Sequence, residues 1–127
     1  MLSRTIDKVI QKGVRVVLNI SDTGVIKLTR GDTARFSIGI LNEISDSTYS
    51  ISDNDQLTLT VKKKVKDEDT LIQKTITGAT LFHIKPEDTS GLSFGKYVYD
   101  VQLTTSDGDV YTIVGPTTFE LLAEVTY

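Results

Sequence analysis

Hydrophobic residues recur at every second position along most of this chain, the spacing of strands that bury one face. In ARFSIGIL, Ala34, Phe36, Ile38 and Ile40 share one side, and Arg35, Ser37 and Gly39 share the other. Leu57, Leu59 and Val61 alternate with Thr58, Thr60 and Lys62. Near the end, Phe119, Leu121, Ala123 and Val125 alternate with Glu120, Leu122 and Glu124. Less regular strands are predicted at 25–29, 71–77, 80–84, 97–105 and 109–114, each bounded by Gly, Pro, Asp or Asn. About eight short strands with turn signals between them predict an all-β sandwich or barrel, because βαβ units need intervening helical patterns of roughly ten residues or more.

Loop length decides which residues meet across the hairpin VQLTTSDGDVYTIV. A two-residue Asp107-Gly108 turn pairs Leu103 with Thr112. A three-residue loop Ser106-Asp107-Gly108, with Gly108 left-handed, pairs Leu103 with Tyr111 and Val101 with Ile113. The second register is expected, since it gathers Tyr97, Tyr99, Val101, Leu103, Tyr111 and Ile113 on one apolar face. Gly115-Pro116 should interrupt the last strand, because Pro donates no ladder hydrogen bond, and a change of sheet is expected there.

The N-terminus follows a different spacing. Ile6, Val9 and Ile10 fall on one helical face, with Ser3 or Thr5 as a cap and Gly13 as a stop, which predicts a short N-terminal helix. A helix this short is marginal alone, so its stripe should pack on the domain or on another copy of the chain. Ile6, Val9 and Ile10 are therefore the expected self-association residues. VRVVLNI, residues 14–20, predicts an additional strand. The chain divides into an N-terminal segment, 1–20, and one β-domain, 21–127, with no internal repeat.

Composition narrows the function classes. At 127 residues, with 39% hydrophobic and 24% charged side chains, the chain can bury a core without staples. It has no cysteine, which excludes disulfides, thiolate chemistry and Cys-type zinc sites. No apolar run approaches the roughly 20 residues of a membrane span. MLSRTIDKVI lacks the apolar core of a signal peptide, so synthesis without secretion and no membrane partner are expected. A net charge of −3 disfavours nucleic acid. The cluster Lys62, Lys63, Lys64 and Lys66 is followed at once by Asp67, Glu68 and Asp69.

Short motifs add little chemistry. Arg30-Gly31-Asp32 is an integrin-type tripeptide, but between two predicted strands it reads as a β-turn. Asp53-Asn54-Asp55, Asp67-Glu68-Asp69, Glu87-Asp88 and Asp107-Gly108-Asp109 are acidic loops of the kind that can hold calcium. None has the calcium-loop spacing with its Gly and distal Glu, so turn formation is the simpler reading. His83 is the only histidine and no G-x-S-x-G accompanies it, so no catalytic set is visible and no enzyme or cofactor is expected. Thr58, Thr60, Thr104 and Thr112 could equally face water, a glycan or a partner protein.

The stretch DTSGLSFGKYVYDVQL, residues 88–103, carries the strongest fold signal. Immunoglobulin-like sandwiches place a Tyr near the start of a strand, its hydroxyl bonded to backbone a few residues upstream. Asp88, Leu92, Gly95 and Tyr97 follow that order as acidic turn, apolar plug, strand entry and corner tyrosine. Tyr99 would then fill the place where antibody domains put a cysteine.

A wider resemblance covers about residues 25–127. LTRGDT at 28–33, DQLTLTV at 55–61, PEDT at 86–89, GKYVYDVQL at 95–103, DG at 107–108 and VGP at 114–116 together resemble the N-terminal β-sandwich of phage baseplate upper proteins. The resemblance implies an immunoglobulin-like antiparallel β-sandwich of about 7–9 strands, here with a short N-terminal helix. It also implies a non-enzymatic component of a phage or prophage tail or baseplate, made in the bacterial cytoplasm and assembled into the virion. Its expected partners are other tail or baseplate proteins and copies of itself. With no receptor-binding region after Tyr127, a stand-alone decoration or tail subunit is expected. The alternative is a surface-binding module for a glycan or protein receptor, with calcium in the acidic loops as an assisting ion.

Overall fold

Ten strands and one helical turn make up the computed structural model, which describes residues 2–8, 18–20, 24–42 and 47–124. In chain order these are β1 (Leu2–Lys8), β2 (Leu18–Ile20), β3 (Ile26–Thr29), β4 (Ala34–Asn42) and β5 (Ser47–Thr48). β6 (Gln56–Lys62), β7 (Ile72–Thr77), β8 (Leu81–Ile84), α1 (Pro86–Thr89), β9 (Gly95–Thr104) and β10 (Val110–Leu122) complete them. The fold is all-β, as the alternation predicts.

The strands form two sheets. In the smaller, β4 pairs with β1, β5 and β8, all antiparallel; the larger runs β2-β3-β10-β9-β6-β7. All neighbours in the larger sheet are antiparallel except β3 and β10, which run parallel with Ile26 beside Phe119. With ten described strands, the fold is thus mixed rather than the wholly antiparallel one of about 7–9 strands expected. Both sheets contribute to one core. Ala34, Phe36, Ile38 and Ile40 of β4 and Phe82 and Ile84 of β8 cluster with Leu57, Leu59 and Val61 of β6 and with residues of β3, β9 and β10. Phe36 and Phe82 stack with centroids 5.7 Å apart, and Tyr99 meets Phe119 edge-on at 6.3 Å. Tyr99 donates its hydroxyl to the Gly24 carbonyl, so a buried ring keeps its polar tip satisfied.

The N-terminus departs from the helix its spacing predicts. Leu2–Lys8 is β1, laid antiparallel on β4 with Ile6 opposite Ile38. Seven residues of open strand edge outweigh a marginal helix, and the β-branched Thr5 and Ile6 suit the sheet. The helical face drawn through Ile6, Val9 and Ile10 is thus not formed at Ile6, while Val9 and Ile10 lie outside the described residues. Of the strand expected at 14–20, Leu18–Ile20 is β2, paired with β3, and the rest lies outside them.

The hairpin takes the three-residue register and then leaves it. Gly108 sits at φ 89°, Thr105 and Asp109 close the loop, and Tyr111 faces Leu103. Val101, however, pairs with Val114 rather than Ile113, because bulges between Thr112 and Val114 and between Val114 and Thr117 add residues to β10. Ile113 and Val114 are both buried as a result, while Tyr111 is 41% exposed and outside the core. Gly115-Pro116 sits in the second bulge without ending the strand. β10 stays beside β9 throughout, so the expected change of sheet does not occur. The last strand ends at Leu122, short of Ala123; Val125 lies outside the described residues. No helix among the described residues is long and apolar enough to cross a membrane.

Candidate functional site

Three polar constellations stand outside the core, two at the ends of β9 and one on its outer face. At the Gly95 end, the RGD segment is an intramolecular clamp. Asp32 N–H donates to the Thr29 carbonyl at 3.1 Å, and Gly31, at φ 86°, supplies the positive φ that a type II turn needs at its third residue. The Arg30 guanidinium donates to the Leu92 carbonyl at 3.0 Å and to Glu124 Oε1 at 2.8 Å, and lies 4.1 Å over the Phe94 ring. The Gly31 amide donates to Thr89 Oγ1 at 2.8 Å. Burial, then the Glu124 charge, raises the Asp32 carboxyl above its ordinary value. The Arg30 guanidinium is thus engaged within the chain on three sides.

The corner residues from the sequence meet in the same region. Pro86 opens α1, where its missing N–H is harmless, and Asp88 Oδ2 accepts the Lys85 amide at 2.7 Å. Burial pushes the Asp88 carboxyl up, but Lys74 at 2.7 Å and the Lys85 amide together hold it below the ordinary range. Leu92 is half-buried against the core, and Gly95 enters β9 at φ 133°. Tyr97 donates its hydroxyl to the Ser93 carbonyl, four residues upstream, at 2.7 Å. Lys63 Nζ lies 4.6 Å over the Tyr97 ring and donates to the Lys96 carbonyl. The lysine cluster is therefore split: Lys62 and Lys63 serve backbone carbonyls, and Lys64 and Lys66 are exposed.

At the Thr104 end the central group is Asp55, 1% exposed. Its Oδ2 accepts the Tyr49 hydroxyl at 2.7 Å and the Ser52 amide at 3.0 Å, and its Oδ1 accepts the Ser106 amide at 3.1 Å. The Ser52 amide foremost, with the Tyr49 hydroxyl and Ser106 amide, holds the Asp55 carboxyl below its ordinary range despite burial. The same bond pushes the Tyr49 phenol up to about 12. The acidic loop 53–55 thus contains one structural anchor and two exposed turn residues. Among the described residues, no cluster of three or more His, Cys, Asp or Glu side chains is placed to hold a metal ion. His83 lies opposite Arg35 on β8, and burial and that charge lower its pKa.

The third constellation is a cavity of ≈ 290 Å³ on the outer face of the larger sheet. Its floor is Val98, Asp100 and Gln102 on β9 and Thr60 and Lys62 on β6. One wall is Pro116, in the β10 bulge; Val65 and Thr70 of the β6–β7 connection and Gln73 form the other. The bulge makes this space: β10 skips from Val114 opposite Val101 to Thr117 opposite Tyr99, leaving Asp100 no ladder partner on that side. Lys62 Nζ donates to the Asp67 carbonyl at 2.9 Å, which holds the connecting loop over the sheet, and Gln73 donates to Thr60 at 3.3 Å. Burial raises the Asp100 carboxyl, only partly offset by the Lys62 charge.

Of the cavity residues the sequence marks Thr60 as open to water, a glycan or a partner, Lys62 as part of the lysine cluster and Pro116 as a strand interruption, but it does not bring them together or point to Asp100. Asp100 is a lone acid between Val98 and Gln102 on an alternating strand, which reads as a solvated position. The one available signal was the Gly-Pro pair opposite it, which marks a bulge. The chain matches no protein-family model and no curated protein.

Proposed function

We propose that the chain is an immunoglobulin-like β-sandwich serving as a non-enzymatic structural and interaction module of a phage or prophage tail or baseplate. The observation that carries the reading is the Tyr97 hydroxyl on the Ser93 carbonyl, at the entry to a central strand of a two-sheet fold. That is the geometry of the tyrosine corner. Tyr97 itself lies within residues 95–103, one of the fragments that resemble the baseplate proteins. Two side-chain clamps secure the loops at the two ends of β9, a stiffness suited to a particle component. Docking would use sheet edges and faces, with copies of the chain and other tail or baseplate proteins as partners in the virion.

Particles purified from an induced culture of the encoding host test this directly. Quantitative mass spectrometry should find the chain in fixed stoichiometry with tail proteins. Its absence from intact particles that contain those proteins would overturn the reading.

A further inference from the structure

We propose that the cavity over Asp100 binds a neutral, hydroxyl-rich ring, a hexopyranose unit of a free sugar or of a glycan. Asp100 and Lys62 line the same cavity with opposite charges, so an ion of either sign is attracted by one group and repelled by the other. A neutral ligand meets neither penalty. Hydroxyl groups donate and accept at once, and the floor offers both functions: Asp100 accepts, Lys62 donates, and Gln102 and Thr60 do either.

The carboxylate is also unengaged. Among the described residues the Asp100 carboxylate has no hydrogen-bond or ion-pair partner, only the charge of Lys62 acting on it. A ligand hydroxyl would take the place of the water that otherwise solvates this partly exposed acceptor. Beside these groups Val98 and Pro116 present apolar surface for the C–H face of a ring. Size agrees, since ≈ 290 Å³ lies at the lower limit of the roughly 300–1,000 Å³ of drug-sized sites and suits one small ring. The Tyr99 ring is turned into the core, so no aromatic stacks on the ligand and affinity should be weak, with Kd on the order of millimolar. This chemistry holds whether or not the chain belongs to a particle.

Titrating the isotopically labelled chain with methyl hexopyranosides of gluco, galacto and manno configuration, followed by amide chemical shifts, tests the assignment. Ethylammonium and acetate serve as charged controls. At least one pyranoside should shift the amides around Thr60, Lys62 and 98–102, and should saturate at lower concentration than either control. Asp100→Ala and Gln102→Ala should each weaken binding at least tenfold. Both alanine variants should melt close to the wild-type temperature and Asp100→Asn should keep or raise it, showing that lost binding is not lost folding. A tetrasaccharide that binds tenfold tighter than its monosaccharide identifies a glycan as the source, and equal binding identifies a free sugar. No response to any pyranoside, tighter binding of a charged control, or wild-type affinity in both alanine variants would overturn the proposal.

Discussion

The two ends of β9, roughly 30 Å apart along the strand, solve one problem with opposite chemistry. At one end Arg30, its side chain 22% exposed, ties the β3–β4 turn to the corner and to Glu124. At the other, buried Asp55 ties Tyr49, Ser52 and the 105–109 hairpin together. The difference lies in what loss would leave behind. Without Arg30, water reaches Glu124 and the Leu92 carbonyl. Without Asp55, two backbone amides and a phenol lose one shared, buried acceptor, three bonds in all, whereas loss of Arg30 leaves behind one carboxylate and one carbonyl at a part-buried site.

That contrast sets an order of effects. Asp55→Ala should lower stability by about 3 kcal/mol in urea denaturation. Arg30→Ala should cost about 1 kcal/mol, less at high salt. A larger loss for Arg30 than for Asp55 would break the comparison.

Tyr97→Phe, which removes only the bond to Ser93, should cost about 1 kcal/mol and leave the amides of Ser52 and Ser106 protected from exchange. Loss of protection at both ends would mean that the two clamps act as one unit.

Acid should act oppositely on Asp55 and Asp32. Asp55 has a lowered folded-state pKa, so its contribution is full above the ordinary value of 3.8 and fades as pH falls below it through the folded value. Asp32 has a raised pKa, so its ionisation opposes folding and acid relieves it. Ser52 and Ser106 amides should therefore lose protection as pH drops below 3.8, and Asp55→Asn should flatten the dependence.

The smallest expected effect is spectroscopic. Tyr49 donates to Asp55 only while protonated, so its contribution is full below pH 10 and lost as pH rises through about 12. In Asp55→Asn the ultraviolet titration of Tyr49 should move back toward 10.

Legibility in the sequence followed periodicity. Ala34, Phe36, Ile38 and Ile40 and the β6 trio read correctly because each strand buries a single face. Ile113 reads as buried and is, but Val114 does not, since a bulge turns two successive residues inward and breaks the alternation on which the reading depends. The N-terminus misled because Ile6, Val9 and Ile10 satisfy a helical spacing, while the deciding factor, the free edge of β4, belongs to another part of the chain. Asp55 shows the same limit. Beside Asp53 it looks like one more turn residue, and only Ser106, 51 positions later, makes it an anchor. The RGD turn was legible as a turn; its grip on Leu92 and Phe94 was not.

The parallel pairing of β3 with β10 joins Ile26 to Phe119 and Thr29 to Leu122, across more than ninety positions of chain. During synthesis the larger sheet cannot close until residues 119–122 have left the ribosome, and β3 waits with an unpaired edge. Refolding should be slow for a chain of this size, because so distant a contact carries its loop-closure entropy before any packing rewards it. Nascent chains halted before residue 119 would be expected to expose apolar strand edges and to need a holding chaperone.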